Sequence, residues 1–421
     1  MELVLKKKFF LFLLLNGFYF FSYFHRVGIP GTIFDQLQME FNLTANQVAS
    51  LGTIVLGIYG ILQFFVGSFM DFFGTNRIFV AGGFLLCAGS ILFSVSHSIF
   101  SLYFSRVLVG FGASVAYLGI VKKTDELFGS DFFSVMVGVA IFLGYSGGLF
   151  ATLPFERLVF AFGWRSTLLW MSGALLVVMI IILTIFIRQD QLRHKTNSIS
   201  LKNIKQTLLN KGSYPVIITT SLYFTIYFIF QGIIGKKLLQ DTCGISSKIA
   251  ASFTFIMMAS TMFFVLFWGA IVRIIKARKN LMISLCWISI SACILIISNL
   301  VFWKEPMAFF LSFFLFALIG GSGPLTATLM KEINPLTIGT SVGFINGICY
   351  LFVAISGNIT GLIMNRFSSK TIFTSQAVIY PVAAYITVTG FCLMLGIIAL
   401  LSSFRIKEVR KVVEIKVPAP F

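Results

Sequence analysis

The chain is 421 residues long, 58% hydrophobic and only 11% charged, with a mean hydropathy of +0.96 and a formal net charge of +18. A composition this apolar excludes a soluble globular protein, in which about a quarter of residues are charged. The basic excess would suit a nucleic acid, but its placement along the chain assigns it to membrane topology instead.

Apolar runs near or above the roughly 18 residues that span a bilayer recur along the whole sequence. Twelve are read, at about 9–33, 47–69, 78–96, 101–121, 133–155, 166–187, 214–236, 248–270, 280–302, 307–329, 338–362 and 379–403. The expected fold is all-α and integral to the membrane. Lys6-Lys7-Lys8 followed by apolar residues resembles a secretory signal, but no small-residue cleavage site follows, so it reads as the start of the first span. The longest polar stretch, about Arg188–Ser213, separates spans six and seven, and 201–209 within it has the pattern of a short amphipathic helix. The organisation expected is a six-helix bundle over 1–190, a cytoplasmic linker over 191–211, a second six-helix bundle over 212–405 and a tail over 406–421. With the N-terminus in the cytoplasm, inner loops and tails carry 22 Lys and Arg against 8 in outer loops. That bias places both termini in the cytoplasm.

Gly67-Ser-Phe-Met-Asp71-Phe-Phe-Gly74-Thr-Asn-Arg77 lies between spans two and three, and a worn copy, Gly269-Ala-Ile-Val-Arg273-Ile-Ile-Lys276-Ala-Arg278-Lys279, follows span eight. The copies are 202 residues apart in register, and the same offset aligns Leu43–Ser50 with Ile245–Ser252. Two similar helical halves are implied, as in large secondary transporters. Gly67 and Gly74 suit close helix approach and a tight turn, and Asp71 is placed to pair with Arg77 or accept backbone N–H bonds as a cytoplasmic gate. Arg273 and Lys279 put two cations where the first copy has a charge pair, so ionic latching is expected mainly in the N-terminal half.

The pattern G-x-x-x-D-x-x-G-x-x-R after span two, its degenerate copy after span eight, and Arg106-Val-Leu-Val-Gly110-Phe-Gly112 in span four together resemble the major facilitator superfamily. His25-Arg26, Gly163-Trp164-Arg165 and Phe230-Gln231-Gly232 are similar to segments of its anion:cation symporter branch and of related bacterial uptake carriers. The branch commonly has an acid before the span-one arginine, where this chain has His25. Gly144-Tyr-Ser-Gly147-Gly148 lacks the proline of the drug-antiporter signature in span five, which weakens a drug-export reading. The resemblance implies that spans one and four line a substrate cavity between the halves.

Arg26 and Arg106 are the two arginines within spans, each some 8–10 Å below the outer surface at 1.5 Å rise per residue. Two guanidiniums at one depth would make a fork for a carboxylate or phosphate. For Arg106 the structural alternative is a bond to backbone carbonyls or an outer-loop acid. Tyr23 shares a face with Arg26, Tyr117 continues the Arg106 face, and Tyr223, Tyr227 and Gln231 form an i, i+4, i+8 stripe on span seven. Asn346 in span eleven is a further polar candidate. None of the acids falls near mid-membrane, so His25 is the candidate proton-coupling group, its protonation strengthening anion binding beside it. Lys236-Lys237 and Lys122-Lys123 end spans seven and four, where snorkelling accounts for them.

The five in-span cysteines (Cys87, Cys286, Cys293, Cys349, Cys392) and Cys243 show no metal-ligand spacing and no pairing. No metal, cofactor or catalytic group is expected. The reading is a monomeric bacterial inner-membrane transporter in which the halves rock about a small organic anion or amino-acid-like zwitterion imported with protons. Efflux of a metabolite or drug, and a non-transporting membrane sensor, are the alternatives.

Overall fold

A computed structural model of the chain describes residues 2–189, 210–275, 277–334, 338–374 and 377–407. Residues 190–209, including the amphipathic helix read at 201–209, lie outside the described residues, as do the tail beyond 407, Lys276 and the side chain of Arg273.

Long apolar helices run back and forth between two ends of one bundle. The ends are named here for Asp71, in the 67–77 loop, and for Glu156, at the other end. Among the described residues ten helices are long and apolar enough to cross a membrane, or eleven if the bent pair Val135–Phe150 and Leu153–Phe162 counts as one. The first helix, Glu2–Val27, has the length for a twelfth, but Lys6–Lys8, Asn16, His25 and Arg26 dilute its apolar character. Span four runs from Ile99 to Gly129 with a single-residue break in the helix at Val115, and Gly129, at φ 69°, turns the chain toward span five. Span seven, Ser213–Cys243, contains a π-helical turn at Phe230–Ile234. Such bulges release helix hydrogen bonds and often mark functional positions.

Local chemistry sets the helix ends. Thr44 and Ser98 each close a capping box with a residue three positions on. The 202-residue repeat is visible at this level. Asn42 (φ 53°) ends the helix Phe34–Phe41 and Thr44 caps the next; Gly244 (φ 65°) ends Gly235–Cys243 and Ser246 caps the next. Each pair is one left-handed residue and one hydroxyl cap, in the same register.

Burial separates central helices from peripheral ones. Span seven, rich in Ser, Thr and Tyr, is 89% buried, whereas Trp164–Ile187, aliphatic over most of its length, is 28% buried. With no water to drive helices together in a bilayer, close packing at small residues does that work. The most extensive contact between the chain halves joins Ala45–Leu62 to Ile338–Asn365. There Gly60 and Gly347 face each other so closely that a Cβ on either would sit 2.8 Å from the other's carbonyl oxygen. Nothing lies within 4 Å of where a Gly67 Cβ would be, so that glycine does not serve close approach as expected; Gly74, at φ 94°, does provide the turn.

Candidate functional site: a tyrosine-lined cavity around Arg26

A cavity of about 250 Å³ lies between the two sets of helices. Arg26 is the one charged side chain on its described wall, which also carries seven tyrosines. The guanidinium is 2% exposed and lies 4.5 Å from the ring centroids of both Tyr23 and Tyr59, with Tyr350 at 5.7 Å and Tyr19 at 5.9 Å. Nη1 donates to the Tyr350 hydroxyl at 3.2 Å, Nη2 to Ser22 Oγ at 3.2 Å and Nε to the Ser22 carbonyl at 3.3 Å. Among the described residues no carboxylate pairs with it. Aromatic faces and neutral oxygens hold the cation in place but leave its charge uncompensated. Such a site favours an anion.

The wall across from Arg26 is built by the later helices and is neutral. Tyr223 Oη lies 3.1 Å from Thr326 Oγ1 and accepts from Ser322 Oγ at 3.0 Å, and Thr220 Oγ1 is 3.3 Å from Thr326 Oγ1. Span ten breaks between Gly320 and Gly323-Pro324, which brings Ser322 to the cavity. Hydroxyls both donate and accept, so this pole can bind a carbonyl or hydroxyl group but supplies no countercharge.

Of the residues selected from sequence, Arg26, Tyr23, Tyr117, Tyr223 and Asn346 line the cavity, Asn346 Nδ2 lying 3.5 Å from Tyr59 Oη. Arg106 does not. It is 0% exposed and donates from Nε to the Leu51 carbonyl at 2.8 Å and from Nη2 to the carbonyls of His25 at 2.8 Å and Ile29 at 3.4 Å. The His25 and Ile29 carbonyls lie around the end of the first helix, where unpaired carbonyls favour a cation, and the Leu51 carbonyl belongs to the neighbouring helix Ala45–Leu62. The expected fork of two guanidiniums is therefore absent, and Arg106 fixes the helix that carries Arg26. Gly110 and Gly112 give this segment its close packing, on Ile58 and on the backbone of Leu86 and Gly82 respectively.

Tyr227, Gln231 and His25 also lie off the wall. Tyr227 Oη points to Met258 Sδ at 3.6 Å, and its ring fills the space that a side chain at Gly320 would need. Gln231, inside the π turn, reaches the Thr254 carbonyl at 3.4 Å. The His25 ring is 1% exposed, with Nδ1 buried and without a partner, against the edge of Phe24. Direct contact between His25 and a solute in the cavity is thus not available. Tyr19, Tyr59, Tyr145 and Tyr350 went unselected from sequence because they come from spans one, two, five and eleven, and only packing assembles them. Tyr19 had a usable signal: it sits one turn before Tyr23.

The charged loops also depart from expectation. Asp71 pairs with Lys122, Nζ 2.5 Å from Oδ1, so its ionic partner comes from the end of span four and Lys122 is more than a snorkelling anchor. Lys123 pairs with Glu126 at 2.6 Å. The C-terminal half has its own pair, Arg278 Nε to Glu332 Oε1 at 2.8 Å, with both side chains 15% exposed against 30% and 52% for Lys122 and Asp71. Latching is therefore not confined to the first half. At the Glu156 end, Lys236 and Lys237 are buried in ion pairs that bridge the halves: Lys236 with Glu156 at 2.6 Å, and Lys237 with Asp35 at 2.7 Å. Snorkelling does not describe them. Gln38 to Tyr380 at 2.7 Å and Ser50 to Asn358 at 2.6 Å add neutral ties at the same end.

The sequence profile of the Major Facilitator Superfamily matches residues 15–357. Mouse monocarboxylate transporter 9 is 30% identical over 164 residues, 37% of this chain and 31% of that protein; mouse monocarboxylate transporter 2 is 26% identical over 152 residues, 34% and 30% of the two chains. The match thus spans about a third of the length of these curated relatives. In structure, a D-xylose–proton symporter covers 95% of this chain and 98% of its own with a TM-score of 0.69 at 16% identity. A bacterial homologue of the human lysosomal transporter Spinster, in its inward-facing and occupied conformation, covers 94% and 96% with a TM-score of 0.73 at 13% identity. With this profile match over most of its length, on a fold shared with solved transporters, the chain belongs to the major facilitator superfamily.

Proposed function

We propose that this transporter carries a small organic monoanion, bound through its carboxylate to Arg26, and imports it with protons across a bacterial inner membrane. The observation that carries the reading is the uncompensated guanidinium of Arg26 on the cavity wall, buried among tyrosines with no acid paired to it. A zwitterion would need a counter-anion for its ammonium, and the described wall has none, so the reading favours a net anion over an amino acid. The partial likeness to monocarboxylate transporters agrees with that class. In the mechanism, the carboxylate takes the guanidinium N–H groups that Ser22 and Tyr350 leave unused, while the hydroxyls of Tyr223, Ser322 and Thr326 bind the rest of the solute. Contacts from both halves would then close around it, and rocking would release it on the other side.

The directional parts of the proposal rest on charge placement. The positive-inside bias puts the Asp71 end in the cytoplasm and the Glu156 end outside. The ionic ties at the Glu156 end are those of a carrier sealed from the outside, which matches the inward-facing state of the Spinster homologue. The test is uptake into proteoliposomes of a labelled panel of monocarboxylates, dicarboxylates, amino acids and nucleosides, with and without an inwardly directed proton gradient. Gradient-stimulated uptake of a monocarboxylate, lost in Arg26→Gln, is the expected result. Equal uptake of a neutral or cationic solute by both proteins would refute the reading, and binding without flux of any solute would favour the sensor.

A further inference from the structure

Two lysines and three carboxylates are buried where the halves meet at the Glu156 end, and their charges do not balance. Lys236 and Glu156 make a neutral pair, each side chain 5% exposed, completed by Thr32 O on the ammonium at 2.5 Å and the Ser247 hydroxyl on Glu156 Oε1 at 2.5 Å. Lys237 instead faces two carboxylates. Its Nζ lies 2.7 Å from Asp35 Oδ1 and 2.8 Å from Asp241 Oδ1, and the side chains are 1%, 10% and 2% exposed. The remaining polar groups around this triad are neutral. Tyr385 donates its hydroxyl to Asp241 Oδ2 at 2.6 Å and Tyr380 its N–H at 2.9 Å; the Val378 carbonyl accepts from Lys237 at 2.7 Å; Gln38 donates to the Tyr380 hydroxyl at 2.7 Å. Among the described residues no second cation lies within ion-pair distance of Asp35 or Asp241.

We propose that Asp35, Lys237 and Asp241 form a proton-binding site, and that closing this end of the transporter takes up one proton. Lys237 and Asp241 are one helical turn apart on Gly235–Cys243 and travel together, whereas Asp35 belongs to Phe34–Phe41 in the other half. When the end opens, Asp35 moves into water, which solvates its charge, and Lys237–Asp241 stays whole as a neutral pair. When it closes, a second anion enters a desolvated site whose cation is already matched. Burying an unmatched charge is costly, and a proton on either carboxylate removes the excess. The Tyr385 hydroxyl and the Tyr380 N–H both donate to Asp241 Oδ2, and the proton belongs to the triad as a whole. The closed end therefore binds one more proton than the open end. By linkage, acid shifts the balance toward closure, by up to about tenfold per pH unit. This inference is independent of the solute, because it concerns the end of the bundle and not the cavity.

The experiment reads conformation directly. Spin labels replace Phe100 and Phe373, which are 79% and 73% exposed on opposite halves at this end, in a Cys243→Ser background of the full chain in nanodiscs. Distance distributions are recorded from about pH 5 to pH 8 without solute. The expected result is a short-distance population that grows with acid in the parent. In Asp35→Asn and in Asp241→Asn that pH response flattens, with the end closed throughout. Glu156→Gln breaks the balanced pair, lowers the closed fraction at every pH and keeps the response. A flat profile in both the parent and Glu156→Gln would overturn the proposal. So would a response that survives in the asparagine variants, which would place the titrating group elsewhere, His25 included. Each asparagine variant is checked for a monodisperse elution profile, and if one is lost the other decides.

Discussion

The two ends of this bundle differ in whether their ion pairs cross between the halves. Among the described residues, the pairs at the Asp71 end stay within one half: Asp71 with Lys122 among the early helices, Arg278 with Glu332 among the late ones. At the Glu156 end two nearly dry pairs join the halves, Lys236 to Glu156 and Lys237 to Asp35, beside the intra-half pairs Lys237–Asp241 and Arg165–Glu40. Intra-half pairs can persist through a rocking motion, whereas inter-half pairs must break and reform in each cycle. The difference teaches where conformational energy is stored. An exposed pair contributes little, about 0–1 kcal/mol. Removing one partner of a buried pair leaves an unmatched charge, at a cost of about 3–5 kcal/mol.

Substitutions at the two ends sharpen that contrast. The largest effect is expected for Lys237→Met, which leaves Asp35 and Asp241 together with no cation. The closed state should lose about 3–5 kcal/mol, read as a strong shift to long inter-half distances and a lower melting temperature. Gly60→Leu comes next. Its side chain would meet the Gly347 carbonyl and Leu351, so close contact of the central helices should be lost and transport fall at least about tenfold, measured as initial uptake rate. Arg278→Gln, breaking a pair of intermediate exposure, should cost about 1–2 kcal/mol of thermal stability and leave inter-half distances unchanged. Asp71→Asn should change stability by less than about 1 kcal/mol. If Asp71→Asn instead destabilises as much as Lys237→Met, the contrast between the ends is wrong.

Much of this molecule is legible in its sequence, for physical reasons. Spans are readable because a bilayer demands long apolar helices, and the two-half plan because the 202-residue register recurs, down to the Asn42–Thr44 and Gly244–Ser246 helix boundaries. Arg26 stood out because a cation within a span is costly. The same argument singled out Arg106, which packing turned to backbone carbonyls; cost identifies a buried cation but not the direction it faces. Tyr59 and Tyr350 joined the site only when Ala45–Leu62 and Ile338–Asn365 packed, since neither carries a local signal. Lys236 and Lys237 looked like ordinary helix-end lysines because their partners are 80 and 202 residues away, at Glu156 and Asp35. The Asp71 loop drew attention by its motif, although its pair is among the more exposed in the chain.

The central claim is that Arg26 binds the carboxylate of the solute, and ligand-induced stabilisation of the purified protein tests it most directly. A ligand that binds only the folded state raises its melting temperature. Monocarboxylates are screened with their amides as neutral controls, against the parent, Arg26→Gln and Arg106→Gln. The account predicts that at least one monocarboxylate, but not its amide, stabilises the parent, and that Arg26→Gln abolishes the shift while remaining folded. Arg106→Gln should lower the starting melting temperature yet retain a ligand-dependent rise. An undiminished carboxylate response in folded Arg26→Gln would contradict the account.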